Sequence, residues 1–325
     1  MNAMPQLRIM SFIDILDTAF RLYRTHFLMF LGIVALLQIP FVILQTLFQF
    51  TIGWESAVAV TSFSSTPTFS GSGFPDVPLI DFFIYYGGLF GFSILQSLIL
   101  FTLITGALAH AISRIYLGQP ISILAAYQFG RRKYLSLILA TLALFLSILV
   151  LYALFVACIA GGVFATLSLE GEASILAGVG LLLAILFVSL AFLIILAFIY
   201  TRMAFITQAI VLENHGPFAA IGRSWRLTSQ HFWRTFGILF IMVILAYIVY
   251  GIPTTIIQLG IAFVGGFSPE SQILGQNIAV LVAQIGYIIA LPLQFVTYTL
   301  LYYDLRIRKE GFDIELKSQQ VSSYA

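Results

Sequence analysis

The chain has 325 residues, of which 61% are hydrophobic and 9% are charged, with a formal net charge of +2. Soluble domains carry roughly 25% charged residues. This composition excludes a water-soluble globule, which would expose far more apolar area than the few hundred Å² monomers usually show, and it specifies an integral membrane protein. The single cysteine, Cys158, lies in an apolar run. It excludes an intrachain disulfide and a cysteine metal cluster, and it reads as a buried structural residue.

In chain order, residues 1–26 lack the apolar core and small-residue cleavage pattern of a secretory signal. Instead Phe12, Ile15, Leu16, Ala19, Phe20 and Tyr23 recur at helical spacing. Ser11 is placed to cap this helix with Asp14 three residues on. Asp14 and Asp17 early, with Arg21 and Arg24 late, suit the helix dipole. This helix is expected to lie in the membrane interface, its arginines reaching for phosphates. The first span is expected over about 27–50, with Pro40 inside, and an outer loop over 51–81 that is rich in Ser, Thr, Gly and Pro. The second span covers about 82–112, where Gly87 and Gly91 predict a close helix contact. A polar stretch ending in Arg131-Arg132-Lys133 leads into spans three (about 134–167) and four (about 174–200). Another polar stretch, 201–235, leads into spans five (about 236–264, with Pro253) and six (about 273–303, with Pro292). A mostly polar tail, 304–325, reads as a solvated exit in which Asp304 can reach an arginine of a surface helix. The fold class is therefore all-α: a polytopic bundle of six transmembrane helices with amphipathic interfacial helices before spans 1, 3 and 5.

All 15 Lys and Arg residues fall in four groups: the N-terminus, the loops between spans 2 and 3 and between spans 4 and 5, and the C-terminus. The three opposite loops hold none. Basic residues accumulate on the cytoplasmic side, so both termini are expected inside a bacterial cytoplasmic membrane.

The chain also repeats itself. Shifting the N-terminal residues forward by 205 positions lays Arg21 on Arg226, Leu22 on Leu227, His26 on His231, Phe27 on Phe232 and Gly32 on Gly237. A shift of 107 gives a weaker match, with Ala19 on Ala126 and Phe20 on Tyr127. Three units are expected, at about 11–114, 120–202 and 216–306, within one membrane domain of residues 1–325. Each is a surface helix followed by a two-span hairpin, so the repeats would run parallel about the membrane normal. The alternative is that any amphipathic helix before a span collects aromatic and basic residues.

The stretch 213–236 concentrates the candidate chemistry. Arg21, Arg24, Arg223, Arg226 and Arg234, with Trp225 and Trp233, form a candidate lipid or anion-binding set, because the guanidinium fork suits phosphate and indoles settle at headgroup depth. Arg21 and Arg226 are the favoured pair. The competing reading makes these helices plain anchors for the spans. Glu213, His231, His26, His110, Asp304 and Arg306 form a candidate polar network. Deep polar residues such as Gln38, Gln96, Gln284 and Gln294 read as helix–helix glue.

Within this stretch, Glu213, Gly216-Pro217, Arg223-Ser224-Trp225-Arg226-Leu227-Thr228 and Phe232-Trp233-Arg234 resemble the bacterial glycerophosphoryl diester phosphodiesterase membrane domain and related multi-pass families. The exit from Tyr302 to Asp313 resembles their tail. The resemblance implies six spans. It does not imply the phosphodiesterase activity, because the barrel-type catalytic domain that follows in the named enzymes is expected to be absent after residues 304–325. The family offers no catalytic residues in its membrane part to carry over.

No HExxH, GxSxG, P-loop or GxGxxG pattern occurs. The chain is thus expected to be no enzyme and to need no cofactor or metal. An enzyme acting on a phospholipid would have only His231, His26 and Glu213 to draw on. The expected role is a non-catalytic inner-membrane protein that binds or organises anionic phospholipid, or a partner protein, at the cytoplasmic leaflet. The alternative is a transporter of lipid or small solutes. Expected partners are membrane phospholipids and a second copy or another membrane protein, with no nucleic acid.

Overall fold

The computed structural model describes residues 9–65, 79–167, 172–264 and 269–311. Among them every regular element is helical, and six helices are long and apolar enough to cross a membrane. The protein is an all-α polytopic membrane bundle.

The first helix, α1 (Phe12–Thr25), starts where the sequence places its cap. The Ser11 hydroxyl accepts the Asp14 N–H at 3.1 Å, and the Ser11 N–H donates to Asp14 Oδ2 at 2.9 Å. This box satisfies two otherwise orphan groups at the helix start. Ile15 and Ala19 are fully buried where α1 packs on the last helix. His26 (φ −117°, ψ 27°) then leaves the helical region, and α2 (Phe27–Phe50) starts at the next residue as span one.

The outer segment is less loop-like than expected. Residues Ile52–Ser65 form a helix, α3, which packs on α4 (Leu79–Ile94) and buries Ala57 and Val60. Those two residues sit three apart on one helical face, a short signal outweighed by the Ser/Thr/Pro run that follows. The rest of that loop, 66–78, lies outside the described residues. Span two continues through a π-helical segment, Leu95–Leu100, into α5 (Phe101–Tyr116). Gly87 and Gly91 face open space; the close contact falls instead at Gly88, where a Cβ would meet the Phe48 ring.

The stretch before span three is helical but not a separate element. It runs unbroken into the span as α6 (Ile123–Leu167), 45 residues long. Span four is α7 (Glu172–Met203), extended by α8 (Ile206–Glu213). The outer parts of α6 and α7 pack on one another, as where Phe155 stacks on Phe192 at 4.4 Å. In the most apolar stretch of each, 0% of residues are buried, against 28–39% in the other four spans. Lipid is the solvent for this face, so it needs no protein cover. Cys158 lies on it and is exposed, not buried.

The surface helix α9 (Pro217–Thr228) precedes span five, which comprises α10 (Phe232–Ala246), a π-helical segment Tyr247–Gly251 and α11 (Ile252–Val264). The π segment abuts Pro253, whose missing N–H and bulky ring disturb the ladder upstream. The last helix, α12 (Pro269–Glu310), is span six and runs through Pro292.

Two backbone features recur at the 205-residue offset. Ser11 (φ −70°, ψ 174°) and Gly216 (φ −70°, ψ 167°) both cap a surface helix. His26 and His231 (φ −125°, ψ 35°) both break the chain just before a span. The position of the middle unit that matches them is Lys133, a better helix former than His, and there α6 runs on.

The main core lies at the end of the bundle that carries the basic residues. Phe30 and Ile33 of α2, Ile104, Leu108 and Ile112 of α5, and Leu300 and Tyr302 of α12 are fully buried there. Nearer the middle, amides join the spans as expected: Gln38 Nε2 donates to Gln284 Oε1 at 2.8 Å, and Gln294 Nε2 to the Met242 carbonyl at 3.3 Å.

Candidate functional site

Chemistry gathers at the basic end, in two ionic groups built on α12. The first centres on Glu213. Asn214 takes the left-handed conformation (φ 58°), which Asn tolerates better than most residues. It turns the chain from α8 into α9, so that Arg223 returns onto Glu213 with Nε–Oε2 at 2.7 Å and Nη2–Oε1 at 2.8 Å. This bidentate pairing is the strong form of the interaction. Arg306 Nε approaches Glu213 Oε1 at 3.1 Å, the Tyr302 hydroxyl donates to the same oxygen, and His215 Nε2 lies 3.1 Å from Oε2. Arg223 also donates to Glu310, with Nη2–Oε2 at 2.7 Å. The hydrogen bonds to Glu310 and then Glu213 push its pKa above the ordinary arginine value.

The second group centres on Asp304, a carboxylate that is fully buried. It accepts the Met10 N–H at 2.9 Å, Arg234 Nη2 at 3.1 Å and Arg308 Nε at 2.9 Å. The same two guanidinium groups donate to the Met10 carbonyl at 2.8 and 2.6 Å. The stretch from 304 is therefore not a solvated exit. To Glu310 it is helix, and it clamps the N-terminal segment to the start of span five. Asp304 does meet Arg234 of the 213–236 stretch, which the structure places at the start of span five, and it also meets Arg308 of its own helix. Residues 312–325 of the expected tail lie outside the described residues.

The expected sets thus divide. Of the candidate network, Glu213 and Arg306 join the first group and Asp304 the second. His26 only approaches its own helix, at Leu22 O, 3.4 Å away. His110 stacks on Phe129 with ring centres 3.8 Å apart. Of the candidate anion ligands, Arg223 and Arg234 turn inward to carboxylates. Arg21, Arg24 and Arg226 are exposed and form no ion pair among the described residues. Trp233 is 78% exposed. Trp225 instead helps to cage a cation: the Arg202 guanidinium lies 5.0 Å from its ring and 5.1 and 5.3 Å from those of Phe198 and Phe232.

Sequence reading missed His215, Tyr302, Arg308 and Glu310 as members of the two ionic groups, and Arg202 as the cation among the aromatic rings. Only the four-residue spacings Asp304–Arg308 and Arg306–Glu310 carried a local signal.

His231 sits beside the second group with its Nδ1 covered and without a partner among the described residues. Burial, then the charges of Arg308, Lys309 and Arg234, lower its pKa, and Asp304 only partly opposes them. With a folded pKa below the unfolded one, the unfolded chain takes the proton first as pH falls. Stability held above about pH 6.5 is therefore lost on acidification below it. The melting temperature in detergent should fall between about pH 7 and 5.5, and His231→Gln should flatten that part of the profile.

A cavity of about 730 Å³ opens beside α1, lined by Phe20, Arg21, Tyr23, Arg24, Thr25 and Phe27. Tyr23 fixes its wall by donating to the Ile289 carbonyl at 2.8 Å, in the turn of α12 that Pro292 disturbs. Burial pushes the Tyr23 pKa up to about 12.

The model of one protein family, a domain of unknown function (DUF7847), matches residues 86–304. Neither a curated protein nor a solved structure matches the chain. The family matched carries a different description from the phosphodiesterase membrane domain that the 213–236 motif resembles.

Proposed function

The chain belongs to the DUF7847 family, and we propose that it is a non-catalytic membrane protein that binds anionic phospholipid headgroups at its basic end. We place that end, and with it both termini, at the cytoplasmic face of a bacterial inner membrane. One observation carries the reading. Arg21 and Arg24 flank an open cavity walled by Phe20, Tyr23 and Phe27, and neither guanidinium is spent on a carboxylate of the described residues. A free guanidinium beside aromatic rings at the start of a span combines a phosphate donor with cover for the upper acyl chain. Arg223, Arg234, Arg306 and Arg308, by contrast, are committed to carboxylates.

Mass spectrometry of lipids retained by the protein in mild detergent tests the reading. We expect anionic phospholipid enriched over the host membrane in wild type, and the enrichment gone in Arg21→Ala/Arg24→Ala. A retained profile that mirrors the host membrane in both proteins would leave α1 a plain anchor.

A second reading, solute transport, has one observation in its favour. Gln38, Gln96 and Gln284 meet between spans one, two and six, and Gln38 Oε1 is buried without a hydrogen-bond partner among the described residues.

A further inference from the structure

A second cavity, of about 590 Å³, lies between α5, α6, α8 and α12 beside the Glu213 group. Its volume suits a small molecule. Glu213 lines it, but that carboxylate is already met by Arg223, Arg306, His215 and the Tyr302 hydroxyl. Arg306 lines it too and is held by Glu213 and Glu310. The charge left uncommitted in the cavity is that of Arg114, which is exposed and has no carboxylate within pairing distance among the described residues.

Further hydrogen-bonding groups line the cavity beside that charge. Ser113 and Tyr303 share a hydroxyl–hydroxyl hydrogen bond of 2.7 Å in which either can donate. Asn214 and His215 come from the turn that the left-handed Asn214 sets. A guanidinium with hydrogen-bonding groups on several walls suits a phosphate, whose terminal oxygens point in several directions.

We propose that this cavity binds a small phosphate-bearing ligand through Arg114. The site is separate from the α1 cavity and does not depend on it. Its phosphate comes either from a soluble phosphoester or from a lipid headgroup.

The test is the melting temperature of the full chain in detergent, titrated at fixed ionic strength with inorganic phosphate, glycerol phosphate and a short-chain phosphatidic acid. At least one of the three should raise it over matched chloride. Glycerol phosphate active alone or with inorganic phosphate assigns a soluble ligand; phosphatidic acid active alone assigns a headgroup. Arg114→Gln should raise the half-saturating concentration at least about tenfold, and Arg114→Lys should recover part of the loss. Arg114 is exposed, so the ligand-free melting temperature of Arg114→Gln should match wild type. Arg21→Ala/Arg24→Ala should keep the full response to the soluble probes. No response to any of the three probes, or an undiminished response in Arg114→Gln, would overturn the proposal.

Discussion

The Asp304→Ala protein should melt about 5 °C below wild type in detergent. Asp304 is a fully buried carboxylate with three donors: the Met10 N–H and the guanidinium groups of Arg234 and Arg308. Removing one member of a buried ion pair costs about 3–5 kcal/mol, chiefly because the partner charge is left uncompensated. The side chains of Arg234 and Arg308 are 21% and 23% exposed, so water takes back part of that cost and the lower end of the range applies. Arg234→Ala and Arg308→Ala should each cost less, because the other arginine still meets both Asp304 and the Met10 carbonyl. The double arginine variant should lose more than the sum of the two, the mark of one network. A drop of less than about 2 °C in Asp304→Ala would show that the clamp between the N-terminal segment, span five and the end of α12 carries no stability.

Glu213→Ala should be the next most damaging change, at roughly 2–3 kcal/mol. It removes the shared acceptor of Arg223, Arg306 and the Tyr302 hydroxyl. Both arginines retain Glu310, which holds the loss below that of a fully stripped pair. Tyr302 has no such substitute in its buried position. The consequence is local as well as global: α9 and the end of α12 keep the Arg223–Glu310 pair but lose the carboxylate that ties both to the end of α8. Trypsin should therefore cut faster at Arg306 and Arg308 in Glu213→Ala than in wild type, measured as fragment appearance in detergent. Equal cutting rates with an unchanged melting temperature would contradict the assignment of Glu213 as that tie.

The spans were legible because lipid and water impose a strong one-dimensional pattern. The 27–50 run became α2 residue for residue, and the box at Ser11 and Asp14 set the start of α1. The partition of basic residues between alternate loops told the same story as the six apolar helices. A surface helix separate from span three is expected from the polar stretch, whereas α6 runs unbroken from Ile123 to Leu167; the position at the 107-residue offset from His26 is Lys133, a better helix former. The site was half legible. Composition collected the arginines and aromatics at one end of the bundle, but each arginine there has two ways to satisfy its charge, a headgroup or a carboxylate. Which one wins depends on contacts such as Arg223 with Glu310 and Arg234 with Asp304, 87 and 70 residues apart in the chain. No local period encodes these. Only the i,i+4 pairs on the last turns of α12 left a trace.

The basic end thus divides into arginines that hold the fold and arginines left for ligand. One paired measurement tests that division: the retained lipid profile, and the melting temperature after exchange into lipid-free detergent, of Arg21→Ala/Arg24→Ala beside Arg234→Ala. The first variant should lose its anionic lipid while melting like wild type. The second should keep the lipid and melt several degrees lower. The reverse pattern, with stability lost at Arg21 and Arg24 and lipid lost at Arg234, would contradict that division.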